Sequence, residues 1–285
     1  MPGTAARVAR RARDYVGVVG PDAATYLQAM VSNDVEALGI GETCEALLLT
    51  PKARVIAPLV VLRRGVDDFL LLTERGLGER VRSTLVRSRF AAKCEIGSEE
   101  HSSVVVVGRE PPPGGVPTAD FGIAAYEVFD EETPDWNEIQ DEELELLRIR
   151  AGTPRFGREI DDRVLPAEAG LEVRAIDFEK GCYPGQEPIA RQHYRGRVNR
   201  TLRVLELDGS GVPEYDAELT FEGKVVGRIT SAARDGEAVA ALGYVRVEVP
   251  RDAELRLGER SVRQLDANSA QVGNSRESPP PRENR

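Results

Sequence analysis

The chain has 285 residues, 41% of them hydrophobic, which is more than one domain's worth of sequence and enough apolar material for ordinary cores. Its formal charge of −10, from 38 basic and 48 acidic residues, argues against sequence-independent binding of DNA or RNA, where a basic surface supplies most of the affinity. The longest apolar runs are strand-sized, well short of the roughly 18 apolar residues that a membrane span needs, and three widely spaced cysteines outline neither a disulfide framework nor a zinc knuckle.

Residues 1–13 hold Arg7, Arg10, Arg11 and Arg13 with no apolar segment of signal-peptide type behind them, and read as a solvated arm. Residues 15–20 read as a short strand. Gly20-Pro21-Asp22 then turns the chain into a helix with Tyr26, Leu27, Met30 and Val31 at helical spacing. Strands are expected at 44–50, 54–62 and 69–73, with the turn Thr50-Pro51-Lys52-Ala53 between the first two. Leu77, Val81 and Leu85 recur four apart among arginines, one apolar stripe on a helix over 76–89, and strand-like runs follow at 92–96 and 103–108. This succession implies a small α+β layer, a helix covering one face of an antiparallel sheet.

Residues 110–117 (EPPPGGVP) cannot continue a ladder or a helix and read as a linker. Thr133-Pro134-Asp135 has the composition of a helix start, with Asp135 and Glu138 at capping-box spacing. Ile139, Leu146 and Leu147 supply that helix's buried face, and Gly152 its stop. Short strands at 202–207, 217–221, 225–231 and 238–247, parted by Gly- and Asp-rich turns, suit a small β-barrel or sandwich. From Gln264 onward almost no apolar residues remain, and the tail is expected to be disordered.

The segment Lys180-Gly181-Cys182-Tyr183-Pro184-Gly185-Gln186-Glu187 stands out. Its two glycines and proline specify a shaped loop that presents groups at fixed angles. Cys182 lies near Lys180 and ahead of Arg191, Arg195, Arg197, Arg200 and Arg203, a run with no carboxylate. Two readings stand. Nearby cations favour thiolate and make a reactive thiol; alternatively, Cys182 is a small buried residue in a tight turn. A protease-like pair with His193 or His101 lacks an orienting third group. An autonomous iron–sulfur cluster takes about four cysteine ligands, more than this chain offers, and no metal site is read. A positive patch on an acidic protein suits a small anionic ligand better than a long polyanion.

The run KGCYPGQE, continuing as Pro188-Ile189-Ala190-Arg191, resembles the signature of the YgfZ family, folate-binding proteins of iron–sulfur cluster assembly and repair related to the glycine-cleavage T-protein (aminomethyltransferase). The resemblance extends over Ser32-Asn33-Asp34-Val35, Leu147-Arg148-Ile149-Arg150-Ala151-Gly152, Leu165-Pro166-Ala167-Glu168-Ala169-Gly170-Leu171 and the barrel motif Ala241-Leu242-Gly243-Tyr244-Val245. It implies an α+β, three-lobed T-protein-like body with a divided α/β lobe, a ferredoxin-like lobe and a C-terminal β-barrel. The expected organisation is a folate-binding body over 1–197 with its ferredoxin-like part at 54–110, a barrel over 198–263 and a tail over 264–285.

The resemblance further implies tetrahydrofolate or a derivative as cofactor and a cytoplasmic location. Partners would be iron–sulfur assembly proteins or client enzymes, with an indirect effect on tRNA modification and no direct nucleic-acid or membrane partner. Carried over by position, Cys182 is the reactive residue and Lys180 tunes it. Arg148 matches a folate-contacting arginine, Glu168 lies in the matching middle loop, and Asn33 and Asp34 belong to the ligand-side motif. Gln186 and Arg191 complete the cofactor-binding set. The bland alternatives are an Arg148 salt-bridged within its acidic helix and an Asn33 that caps a turn.

Aminomethyltransferases carry a catalytic aspartate after the strand matching 44–50, and residues 50–58 here contain no carboxylate to face a developing positive charge. A tetrahydrofolate-dependent aminomethyl- or methyltransferase is therefore the second reading. A non-catalytic scaffold that uses the acidic stretch 127–145 or the tail is the third. Ala53 stands where the YgfZ family usually has a glycine, so an altered turn is expected there.

Overall fold

In the computed structural model, which describes residues 7–108, 114–130, 137–161 and 163–267, the arginine-rich start is sheet and not a solvated arm. β1 (Arg7–Arg10) and β2 (Arg13–Val19) are both strands. Pairing explains the difference: the Arg13 side chain, 6% exposed, lies against Glu127, which removes the reason for that arginine to stay in water. β2 leads through Gly20 into α1 (Ala23–Met30), whose Ala23, Tyr26, Leu27 and Met30 form the buried face.

β3 (Thr43–Leu49), β4 (Val55–Gly65) and β5 (Asp68–Glu74) follow as an antiparallel meander, and then α2 (Gly78–Ser88) and β6 (Glu95–Glu99). The sheet order is β3-β4-β5-β2-β6. Ala57, Leu59 and Val61 alternate onto one face of β4 and meet Leu27 of α1 and Val81 and Leu85 of α2 in one core, as the period of two on the strand and the stripe on the helix require.

The strand expected beside this layer at 103–108 leaves it. β7 (Ser103–Val107) pairs with β1 and with β9 (Ala125–Phe129) in a second sheet, which β8 (Val116–Pro117) and β10 (Asn137–Glu138) complete in the order β10-β1-β7-β9-β8. Glu138, expected to close a capping box, is thus a strand residue. Helix α3 (Asp141–Arg150) starts later than its composition suggested, with Asp141, Glu142 and Glu143 in its first turn, where the helix dipole favours them. The proposed start at 133–135 lies outside the described residues, as do 110–113 of the expected linker, whose last two residues, Val116 and Pro117, pair as β8 with β9 and so do continue a ladder.

After α4 (Glu172–Ala175) and α5 (Gln186–Arg195) the chain enters the barrel. Its strands are β11 (Arg200–Leu207), β12 (Glu218–Phe221), β13 (Lys224–Asp235), β14 (Ala238–Arg246), β15 (Leu255–Leu257) and β16 (Arg260–Leu265). They close in the order β11-β14-β13-β12-β15-β16, which leaves no sheet edge exposed. β16 runs through Leu265, and Gln264 Nε2 donates to the carbonyls of Pro250 and Ala253, so these two residues belong to the barrel and not to the tail. Residues 268–285 lie outside the described residues. Glu159 ties the barrel to the body: Ser231 Oγ donates to its carboxylate at 2.6 Å and the Tyr244 hydroxyl to its carbonyl at 2.8 Å.

Candidate functional site

A cleft of about 1030 Å³ opens where the two sheets, α3 and the barrel meet. Arg10, Arg11 and Arg13 enter it from the β1–β2 junction, Glu45 from β3, Leu59 and Val60 from β4, and Glu74 from the end of β5. Asp120 and Phe121, Glu145 and Arg148, the 153–156 segment, Ile160, Leu171, Arg174 and the barrel's Arg234 complete the walls. Eight arginines and six carboxylates line it, so the cleft is cationic although the chain as a whole is acidic.

The charges are arranged as pairs. Asp120 accepts from Arg11 and, at 3.0 Å, from Arg174; burial alone would raise its carboxyl, but these arginines and Arg13 hold it well below the usual carboxylate range. Glu127, behind the lining, accepts from Arg13 Nε at 2.7 Å and from Ser103 Oγ at 2.7 Å, and despite its burial is likewise held down. Burial wins at two further carboxylates of the lining. It pushes Glu45 up although Arg174 donates to it, and it pushes up Glu74, which accepts from the Phe156 amide at 2.8 Å. Two carboxyls whose pKa values are raised by burial therefore share one space with aromatic walls (Phe121, Phe156), aliphatic ones and several guanidinium groups. This donor set fits a folate in kind: carboxyls for the pterin edge, a flat apolar slot, and cations for the glutamate tail.

Arg148 lines this cleft and is also ion-paired, with Glu145 at 2.7 Å and Glu159 at 3.2 Å. The other predicted residues lie elsewhere. Asn33 sits behind the wall, where its Nδ2 donates to the carbonyls of Glu45 and Arg174 and so fixes the backbone of two lining residues. Asp34 accepts from Gln28 Nε2 and from the Ala37 amide, as a turn cap. Ser32, which sequence reasoning passed over, donates to the Ala175 carbonyl at 2.6 Å and accepts from the Leu47 amide at 2.8 Å.

Lys180 docks on the same motif. Its Nζ donates to the carbonyls of Gln28, Val31 and Asn33 at 2.8, 2.7 and 2.7 Å, at the C-terminal end of α1 where helix carbonyls lack partners. Burial pulls this ammonium down to about 8. The charges acting on it are those of Asp34, Cys44, Asp177 and Glu36, and its three N–H groups are spent on carbonyls. The cation expected to tune Cys182 is thus a structural clamp. Tyr183 points inward to pack with Leu47, Leu49, Ala53 and Val55, and Cys182 beside it is exposed. The thiol is not the small buried turn residue of the bland reading.

The loop seats on the 50–53 turn. Gly185 has φ +88°, and a Cβ there would meet the Thr50 carbonyl at 2.7 Å. Ala53, fully buried, adopts φ +58° and donates its amide to the Thr50 carbonyl at 2.9 Å. The turn expected to be altered keeps a glycine-like backbone, and its alanine bears about 1–2 kcal/mol of left-handed strain. Gln186 opens α5, and Arg191 pairs with Glu187 on that helix's exposed side; neither lines the cleft. Glu168 pairs with Arg200 at 3.2 Å in a separate cavity of about 640 Å³ against the barrel.

Sequence reasoning missed Arg11, Arg13, Glu45, Glu74, Asp120 and Arg174. The one local signal was a charge inside or at the end of an otherwise apolar strand, as Glu45 in TCEALLL and Glu74 closing DFLLLTE.

No family model matches the chain. It is 27% identical to the iron–sulfur cluster assembly factor IBA57 homolog, mitochondrial, of Pyricularia oryzae, over 88% of this chain and 74% of that protein. It is 25% identical to an aminomethyltransferase of Koribacter versatilis, over 82% and 74% of the two chains. It is also 25% identical to the tRNA-modifying protein YgfZ of an Enterobacter species, over 72% and 73%. Among solved structures, the glycine cleavage system aminomethyltransferase T from Bartonella henselae superposes with a TM-score of 0.79 at 18% identity, covering 92% of this chain and 85% of that one, a likeness of fold.

Proposed function

We infer that this chain, a YgfZ-family protein related to the glycine-cleavage aminomethyltransferases, binds a folate in its central cleft and serves the assembly or repair of iron–sulfur enzymes. The observation that carries the reading is the cleft itself, a cationic cavity that also holds two half-buried carboxyls, Glu45 and Glu74, whose pKa values burial raises. Those carboxyls would take the pterin edge and Phe121 and Phe156 would flank the ring. Exposed arginines of the lining, Arg75 and Arg234, would hold the tail. The relatives' names, an iron–sulfur assembly factor and a tRNA-modifying protein, support the wider role. The effect on tRNA is indirect, through the iron–sulfur enzymes that thiolate it.

Cys182 is the reactive residue of this reading. Its exposure on a clamped loop supports that role, with Lys180 acting by position and not by charge. The protein works in the cytoplasm in this account; among the described residues no helix is long and apolar enough to cross a membrane.

One-carbon transfer is the second reading. The aminomethyltransferase-like fold favours it, and Glu45 and Glu74 put carboxyls in the cleft although the 50–58 turn has none.

Calorimetric titration with tetrahydrofolate tests the cofactor. Wild type is expected to bind one equivalent and Glu74→Gln to bind several-fold more weakly; no heat from the wild type ends the reading. In a null strain, Cys182→Ser is expected to fail in complementation while keeping its melting temperature. Full rescue removes Cys182 from the mechanism.

A further inference from the structure

Two buried polar atoms in the cleft wall have no hydrogen-bond partner, Thr153 Oγ1 and Arg11 Nη1. Thr153 is 7% exposed, and its main chain is fully engaged: its amide donates to the Arg148 carbonyl, and its own carbonyl accepts from Arg148 Nη1. The residue is held in place by its backbone while its hydroxyl is left over. A buried hydroxyl without a partner destabilises the fold by about as much as a lost hydrogen bond, and valine has nearly the same shape without that cost.

Arg11 is held in a similar way. Its Nη2 donates to Asp120 and its guanidinium lies 5.4 Å over the Phe121 ring, while Nη1 stands 3.5 Å from a Glu127 oxygen without a hydrogen bond. The fork is oriented, and one of its arms, ion-paired with Glu127, donates no hydrogen bond.

We propose that Thr153 and Arg11 are the polar contacts that recognise the ligand of the central cleft, and that this ligand presents hydrogen-bond acceptors, a carbonyl or carboxylate oxygen or a ring nitrogen, to both. Arginine can only donate, which sets the acceptor at that end; the hydroxyl can donate to a second acceptor on the same ligand. The choice of tetrahydrofolate as probe rests on the folate reading. In the ligand-free protein both groups are a standing cost that binding relieves, so affinity and apo stability should move in opposite directions on substitution.

The test uses the full-length chain, with calorimetry for binding and thermal melting for stability. Thr153→Val should weaken tetrahydrofolate about tenfold while leaving the ligand-free melting temperature unchanged or raising it by about 2–4 °C. Thr153→Ser, which keeps the hydroxyl, should bind within about twofold of wild type. Arg11→Lys, which keeps the charge facing Asp120 but loses the second arm, should also bind about tenfold more weakly. Thr153→Val binding as tightly as wild type overturns this proposal and leaves the folate reading standing. A Thr153→Val variant that melts several degrees lower overturns it as well, because the hydroxyl then has a structural partner. Wild type that binds no tetrahydrofolate overturns both.

Discussion

Gly185 and Ala53 show how one contact between two turns places the cysteine loop. Gly185 needs a left-handed backbone and has the Thr50 carbonyl where a Cβ would go, and Ala53 donates its amide to that same carbonyl. A methyl at 185 must push against backbone and not against a movable side chain. Gly185→Ala is expected to cost about 2–4 kcal/mol, from strain at positive φ plus the clash, read as a lower urea midpoint with unchanged slope. It should also change the alkylation rate of Cys182, because the loop can no longer seat. An unchanged midpoint would mean that the loop does not rest on the 50–53 turn. The glycines were legible as marks of a shaped loop; what the loop leans on was not, since the turn lies 132 residues earlier by number (185 against 53).

At the scale of elements, Lys180 joins the loop to α1. Its three hydrogen bonds satisfy carbonyls at the helix end that otherwise face a buried space. Lys180→Met keeps the packed stem and strands those acceptors, with an expected loss of about 2–4 kcal/mol by denaturant titration. The pH dependence has a definite sign. Burial lowers the ammonium from 10.5 to about 8, so between these values the folded chain holds fewer protons than the unfolded one. This group's contribution is therefore least favourable below pH 8 and improves as pH rises toward 10.5. The stability difference between wild type and Lys180→Met should grow over that window; a flat difference would show that Lys180 is solvated. Helical spacing made α1 legible, but the cap comes from a residue far along the chain, and no local pattern marks it.

For the molecule as a whole, the network around Asp120 joins the lobes. It gathers Arg11 from the β1–β2 junction and Arg174 from α4, and Arg174 in turn holds Glu45 of β3. Asp120→Asn leaves two cations short of a partner in a buried place and should cost about 3–5 kcal/mol. Because the Asp120 carboxyl is held below its ordinary 3.8, its stabilisation is complete above that value and is lost as pH falls through the lower folded one. Glu45 and Glu74 work in the opposite sense. Their raised carboxyls favour the fold in acid, and that contribution is lost as pH rises through their folded values. Melting temperatures taken between pH 7 and the acid limit should fall less steeply for Asp120→Asn than for wild type, and coincident acid limbs would rule the network out as the acid-sensitive element.

Local chemistry was enough to determine much of this protein. A continuous, strand-sized apolar run marked β4, the four-residue recurrence of Leu77, Val81 and Leu85 marked α2, and turn residues spaced the barrel strands, since each of these patterns reflects interactions within a few residues of chain. The KGCYPGQE segment announced a shaped loop for the same reason. Tertiary structure alone decided the cleft. Arg13 meets Glu127 across 114 positions and Arg174 meets Glu45 across 129, and a charge in a strand has no meaning until the fold brings its counter-charge beside it. It also decided that Lys180 clamps a helix end while Cys182 faces outward, because a buried cation goes to whichever acceptors the packing leaves without partners.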